Sequence, residues 1–393
     1  MKALMLSFPL SLALLFVYMP VFCSAAASGC GIGVAPARNG KIDALIRKIK
    51  RAQESIRTIS YTTERADTLV TGDTRVLKGK ALIRADRKDS LFGFEFEARM
   101  EGVHGAIVYG GRVIYETDDE QKVYTVITDP ALLSHALWQH GGQIILPDLV
   151  RLDTSGAVGF ESWQDGAFLY LRMHYPDLTQ YDVSKRSKTL TIDPVSFLPV
   201  AMRSHQETLG KVQDLYYTLK DIRLNDPGFD YDFSSPVFLA NYTQHILEPS
   251  PPLQKLEGQD APGFVLTGFE KQEVSLTGLR GKPVLLDFWE VWCGACIESM
   301  PKVEHLYEKY KDKGLQVFGV INETKQLEPS RLLVQKRGIR FPMLIGNEQF
   351  KKDYRVGAIP LYVLIDGSGK VVYVSLGYSP GLEAAIEKVI PRD

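Results

Sequence analysis

Cysteine is scarce in this chain, with four residues among 393, namely Cys23, Cys30, Cys293 and Cys296. That count excludes a disulfide scaffold, in which many bridges staple a small fold. Net charge is nearly absent too: 46 basic residues stand against 47 acidic ones. The balance argues against broad electrostatic capture of nucleic acid, which needs a strongly basic surface. Beyond the N-terminus no segment offers the roughly 18 uninterrupted apolar residues of a spanning helix. Internal repeats and low-complexity tracts are lacking as well. What is present is an ordinary globular composition, 45% hydrophobic and 24% charged, in a length that suits two or three domains with full cores.

The first 31 residues read MKALMLSFPLSLALLFVYMPVFCSAAASGCG. A single Lys2, an apolar stretch to about Val17 and the small residues Ser24-Ala25-Ala26-Ala27 have the order of a secretory leader with an Ala-x-Ala-like cleavage region. Export is therefore expected, most simply to a bacterial periplasm, with residues 1–27 as the signal peptide and Cys23 discarded with it. Ala27-Ser28-Gly29-Cys30 loosely resembles a lipobox, which would make Cys30 a lipidated first residue. Ala27 stands where that motif usually has Leu, so ordinary cleavage, leaving Cys30 idle, is the favoured reading.

Residues 41–57 carry Ile42, Leu45, Ile46, Ile49 and Ile56 at helical spacing, with Lys41, Arg47, Lys48, Lys50 and Arg51 on the other face. One buried and one solvated face explain this pattern better than membrane contact does. From Thr58 to about Asp226 short β-rich runs alternate with turn residues: Thr58–Thr63, Val76–Arg87, Leu91–Met100, Ile107–Tyr115, Val123–Ile127, Phe168–His174, Leu190–Ile192, Val200–His205 and Val212–Leu224. A short helix is expected at Pro130–His140 with Asp129 as its N-cap. A helix followed by many consecutive strands predicts a mostly β N-terminal domain, residues 28–247, built as a curved sheet or incomplete barrel. With the phrase Thr191-Ile192-Asp193-Pro194-Val195-Ser196-Phe197-Leu198-Pro199-Val200, this segment is similar to the half-open barrels of the lipoprotein-carrier family. That resemblance implies a concave sheet able to take a lipid or lipoprotein, and it carries no catalytic signature.

Glu248-Pro249-Ser250-Pro251-Pro252 is a semi-rigid break, and residues 248–260 read as a linker. Beyond it the pattern turns α/β. Strands are expected at Pro283–Trp289, Leu315–Ile321, Leu361–Asp366 and Val371–Ser375. Helices are expected at Cys293–Lys311, Ser330–Arg337 and Leu382–Val389. Together they describe a mixed sheet covered on both faces.

Trp292-Cys293-Gly294-Ala295-Cys296 lies across the first strand-to-helix junction. Cysteines three apart put both sulfurs on one side of the first helical turn, close enough to bridge. Cys293, at the helix N-terminus, is expected to have a lowered pKa and to be the nucleophile. Cys296, one turn inside, is then the resolving thiol. Zinc would need further ligands, and a second C-x-x-C or an H-x3-H is missing; His305 alone does not supply them. Neither a metal nor a cofactor is assigned.

Residues from about 256 to 393, with 261–393 as the domain itself, resemble the thioredoxin superfamily, in particular its TlpA/ResA-like thiol-disulfide oxidoreductases. The resemblance rests on Ala261-Pro262-Gly263-Phe264, Leu279-Arg280-Gly281-Lys282, Leu286-Asp287-Phe288-Trp289 leading into the dithiol, and Gly357-Ala358-Ile359-Pro360. It implies a cis-proline at Pro360, with the Ile359 backbone pairing with a substrate strand. It also implies that Asp287 is a buried acid able to take the Cys296 proton, that Pro301 is structural, and that Trp289 and Trp292 shield the dithiol. Gly294-Ala295 departs from the ResA-like branch, which commonly has an acidic residue and proline between the cysteines; Glu290 is near but not equivalent. With no histidine between the cysteines, the expected character is reducing, and a membrane electron donor is implied alongside protein thiols or disulfides as partners. Peroxiredoxins share two of these phrases, but their Thr-x-x-Cys site would need Thr where Glu290 stands. A lipid- or lipoprotein-binding envelope protein with an accessory redox domain is the other alternative.

Overall fold

The computed structural model describes residues 40–130, 132–137, 140–246 and 256–390. The leader, both N-terminal cysteines and the proline-rich break at 248–252 lie outside those residues. The chain separates into two compact units, one described by residues 40–178 and 183–246 and the other by 179–182 and 256–390. Among the described residues no helix is long and apolar enough to cross a membrane.

The first unit begins with α1 (Gly40–Glu54), whose Ile42, Ile46 and Ile49 share one buried face. They join strand residues such as Ile59, Ile83, Phe96 and Leu190 in a single core, while the Lys and Arg face stays exposed. Strands β1 (Thr58–Thr68), β2 (Thr74–Ala85), β3 (Phe94–Met100), β4 (Ile107–Gly110), β5 (Val113–Asp118) and β6 (Val123–Ile127) form one meander. A second consists of β7 (Gly159–Asp165), β8 (Phe168–His174), β9 (Val183–Ile192), β10 (Pro199–Thr208) and β11 (Lys211–Leu224). Antiparallel pairing of β1 with β11 joins them, and β12 (Thr243–Gln244) adds in parallel beside β6. The result is one open twelve-stranded sheet whose edges are β12 and β7.

Three differences from the sequence expectation have physical reasons. The run expected at Ile107–Tyr115 is two strands, because Gly111 and Arg112 both take positive φ (57° and 62°), the backbone of a two-residue hairpin turn. Strand β7 was not expected: five of its seven residues are polar or glycine, and it is an edge with four of the seven exposed. The expected helix at Pro130–His140 is instead a pair of short 3-10 segments, Leu133–Leu137 and His140–Ile144. Between β9 and β10, Asp193 Oδ1 accepts from the Val195 and Ser196 N–H groups (3.1 and 2.6 Å), which closes the turn.

Polar groups also anchor α1. Gln53 Nε2 donates to the Asp148 carbonyl (2.7 Å), and Leu152 N–H donates to Gln53 Oε1 (3.0 Å). The Asp148 side chain pairs with Lys188 at 2.8 Å, both fully buried. No local pattern marks these contacts, because the partners are far apart in sequence.

The second unit contains β13 (Val265–Gly268), β14 (Glu273–Ser275), β15 (Val284–Phe288), α2 (Gly294–Tyr310), β16 (Gln316–Ile321), α3 (Leu327–Arg337), β17 (Met343–Ile345), α4 (Glu348–Asp353), β18 (Leu361–Ile365), β19 (Val371–Leu376) and α5 (Gly381–Val389). The strand order is β14-β13-β17-β16-β15-β18-β19. Strands β17, β16 and β15 run parallel, while β18 is antiparallel to β15. Central β15 is apolar save for Asp287 and buried at every position, as a strand covered on both faces must be. The short elements β13, β14, β17 and α4 were not expected; three to six residues carry too little periodicity to read.

Candidate active site

Strand β15 delivers the chain into the segment 289–293 and then into α2. Cys293 is the N-cap of that helix and Cys296 lies in its first turn; the two are joined as a disulfide with Cα atoms 5.2 Å apart. Cys296 N–H donates to Cys293 Sγ (3.2 Å), and Ile297 N–H donates to the Cys293 carbonyl (3.0 Å). The first sulfur thus occupies the place where helix N–H groups lack intrahelical partners, and those groups stabilise negative charge there. Both cysteines are buried.

Asp287 sits on β15 two residues before Trp289. Its carboxyl is buried with Oδ1 free of any hydrogen bond, and desolvation pushes its pKa up to about 8. On β18, Tyr362 stands directly opposite Asp287 and Leu361 opposite Phe288. Ile359 and Pro360 immediately precede β18, at the end of the pairing where β15 runs on towards Cys293. The Ile359–Pro360 bond is cis; Pro360 is buried and Ile359 half-buried.

Two hydroxyls tie this strand to the helix. Tyr362 OH donates to Ser299 Oγ (2.8 Å), and that oxygen lies 2.9 and 3.0 Å from the Ala295 and Cys296 carbonyls. Burial, aided by the Asp287 charge, raises the Tyr362 pKa, so the phenol stays protonated and donating. Sequence reasoning missed both residues. Their only signal is a polar atom at a position otherwise given to core.

Trp289 is fully buried and its backbone N–H donates to the Val320 carbonyl (3.0 Å), while Trp292 is half-buried. Between them Glu290 is 4% exposed. Its Oε1 accepts from Asn322 N–H (2.7 Å) and Glu323 N–H (3.1 Å), and its backbone carbonyl accepts from Cys293 N–H (2.9 Å). Desolvation, helped by the nearby Glu323 charge and opposed by those N–H groups and Lys351, pushes its pKa up to about 7. Glu290 was dismissed in the sequence as merely nearby; an acid inside Phe288-Trp289-Glu290-Val291-Trp292 is the signal that could have found it. Pro301 lies inside α2, and His305 is exposed on the same helix. Among the described residues no group of three or more His, Cys, Asp or Glu could hold a metal ion.

Residues 256–390 match the Redoxin family. The thiol-disulfide oxidoreductase ResA of Bacillus anthracis is 36% identical over 137 residues, which is 34% of this chain and 79% of that protein. ResA of Bacillus subtilis (strain 168) is 33% identical over 123 residues, covering 31% of this chain and 68% of its own length. Among solved structures, a thiol:disulfide interchange protein DsbE from Chlorobium tepidum is 32% identical, covering 34% of this chain and 94% of its own, with a TM-score of 0.31. The class is that of thioredoxin-like thiol-disulfide oxidoreductases. Within it, the chain belongs to the ResA-like family through this C-terminal part, and it is an oxidoreductase.

Proposed function

We propose that the protein is an exported enzyme that reduces substrate disulfides through Cys293 and Cys296. The observation that carries this reading is the Cys293–Cys296 disulfide at the start of α2, with the buried Asp287 carboxyl, its pKa pushed up to about 8, on the strand that delivers it. The Cys293 thiolate attacks one sulfur of the substrate disulfide, and the other sulfur leaves as a thiolate that takes up a proton. Cys296 then attacks Cys293 Sγ in the mixed disulfide, passing its proton to Asp287 in its ionised form, while the Cys293–substrate S–S bond breaks and the second substrate sulfur leaves as a thiolate that takes up a proton. The substrate leaves as a dithiol and the enzyme as the Cys293–Cys296 disulfide. A membrane electron donor returns two electrons and two protons for the next cycle. Ile359, Pro360 and Trp292 line the substrate's approach, a reading supported by the β15–β18 pairing, which ends with Leu361 opposite Phe288.

The catalytic domain is 261–393 and is joined through 248–260 to the β domain of 28–247. The alternative reading, a β domain that binds a lipid or lipoprotein, is supported by its open sheet. Lipid co-purifying after gentle extraction would support it, and lipid-free protein would count against it. The peroxidase alternative is disfavoured because Glu290, at the position a peroxidatic Thr would need, is buried and bonded to backbone.

The decisive test is trapping. A Cys296→Ser variant holds partners as mixed disulfides, whereas Cys293→Ser does not. Recovery of the same partners from both variants would overturn the assigned roles.

A further inference from the structure

The turn that carries Cys296 is short of support from its own helix. Pro301 lies inside α2 and has no N–H, so the Ile297 carbonyl in the first turn lacks the donor that the residue four places on would supply. Support comes instead from the sheet. Ser299 Oγ donates to the carbonyls of Ala295 (2.9 Å) and Cys296 (3.0 Å). Tyr362 on β18 donates its phenol proton to that same oxygen (2.8 Å). Two hydroxyls thus bridge a buried strand to the backbone of the residue that bears the second thiol.

Packing alone does not account for these hydroxyls. Ser299 is 3% exposed and Tyr362 not at all, and an apolar side chain would fill either place without desolvating an O–H group. The phenol is held on two sides. Its ring packs edge-on against Tyr378, centroids 6.0 Å apart, and Tyr362 pairs across the sheet with Asp287 of β15. At the other end of the bridge, Cys296 N–H donates to Cys293 Sγ (3.2 Å). Cys296 therefore receives a bond from Ser299 at its carbonyl and gives one to the first sulfur at its N–H.

We propose that Tyr362 and Ser299 are positioning residues for Cys296: they hold the first turn of α2 where its sulfur reaches Cys293, and so set the speed of the step that closes the disulfide. Once formed, the disulfide itself fixes the two sulfurs. The bridge matters in the mixed disulfide, where no bond between the cysteines fixes the turn. Holding two reacting groups in place is worth most to an intramolecular attack of this kind. The earlier attack, by Cys293 on an incoming disulfide, draws on the helix cap and not on the bridge. The inference rests on the proposed order of the thiols, Cys293 first and Cys296 second.

The test is stopped-flow reaction of the reduced full-length protein with dithiobis(nitrobenzoate), a chromogenic disulfide, at several reagent concentrations. The Cys293 thiolate attacks the reagent and releases one thionitrobenzoate, in a phase whose rate rises with concentration. Cys296 then loses its proton and attacks Cys293 Sγ. The bond between Cys293 and the reagent breaks, and the second thionitrobenzoate leaves in a phase independent of concentration. Tyr362→Phe should slow the second phase about fivefold, the effect of one lost hydrogen bond, and leave the first within about twofold. Ser299→Ala should slow it at least as much, and Ser299→Thr, which keeps the hydroxyl, should restore it. Combining Tyr362→Phe with Ser299→Ala should add nothing to Ser299→Ala alone, because both remove the same bridge. Variants at both ends keep the test intact if one fails to fold. A second phase within about twofold of wild type in either folded variant would overturn the proposal. Equal slowing of both phases would overturn it too, since that marks a general disturbance of the fold. If the wild type's second release itself scaled with reagent concentration, Cys296 would not be the resolving thiol; that failure belongs to the proposed order and shows before any variant is made.

Discussion

Asp287 makes the folded second unit hold a proton that its unfolded chain has lost. Burial pushes its carboxyl from the ordinary 3.8 up to about 8, and no donor offsets the loss of water at Oδ1. Linkage gives the sign: a folded state that binds more protons than the unfolded one loses stability as pH rises. The loss begins near the unfolded value, around pH 4, and is complete above about pH 8. Each unit corresponds to about 1.4 kcal/mol, so an ionisable group here destabilises the unit by about 4 kcal/mol at pH 7. Asp287→Asn keeps the shape and removes the titration. Glu290, pushed up to about 7, adds a second slope at lower pH that the variant retains. The assay is urea unfolding of the oxidised full-length chain at pH 5, 6, 7 and 8. Pulse proteolysis and mass spectrometry of peptides from 256–390 isolate the relevant unit, and the disulfide keeps the thiols from titrating. Between pH 5 and 8 the stability gap should widen in the variant's favour by about 4 kcal/mol. Curves that stay parallel within about 1 kcal/mol would refute the reasoning. If Asp287 is the proposed base for Cys296, the same variant should slow disulfide reduction on the order of a hundredfold.

Asp148→Ala should cost the first unit about 3–5 kcal/mol in urea unfolding, since it removes the carboxylate that faces the buried Lys188 ammonium. The double change Asp148→Leu with Lys188→Met should recover most of that loss. Tyr362→Phe removes the donor to Ser299 Oγ and should lower the second unit's stability by about 1 kcal/mol, measured by its urea midpoint. Gly319→Ala drives a methyl into Met343 Sδ and Trp289 Nε1; the expected cost is about 1–3 kcal/mol, with a shift in Trp289 fluorescence.

The C-terminal architecture was legible because each long element carries its own signal. Val284–Phe288 is an apolar run that ends where the dithiol begins, and α2 follows with Cys293 at its cap. Both are local facts, and local facts are what periodicity and capping record. The first unit was legible as helix and strands but not as a sheet order. Nothing near Thr58 or Leu224 says that β1 pairs with β11 across about 160 residues. The boundary at Gly111-Arg112 was missed for a different reason, since two positive-φ residues inside a β-rich run leave the hydrophobic pattern unbroken.

The site divides in the same way. Residues whose role follows from their own position, such as Cys293 at a cap, are readable one at a time. Residues whose role follows from a distant backbone group are not. Glu290 owes its place to N–H groups 32 and 33 residues away, and Ser299 owes its place to a phenol 63 residues away. Proton chemistry is concentrated in this second kind, because a pKa moves only when a fold removes water and brings a neighbour near. A dithiol motif therefore announces where electrons move. Which buried acids hold the accompanying protons is decided by the fold around β15, β16 and β18, where desolvation raises the carboxyls of both Asp287 and Glu290.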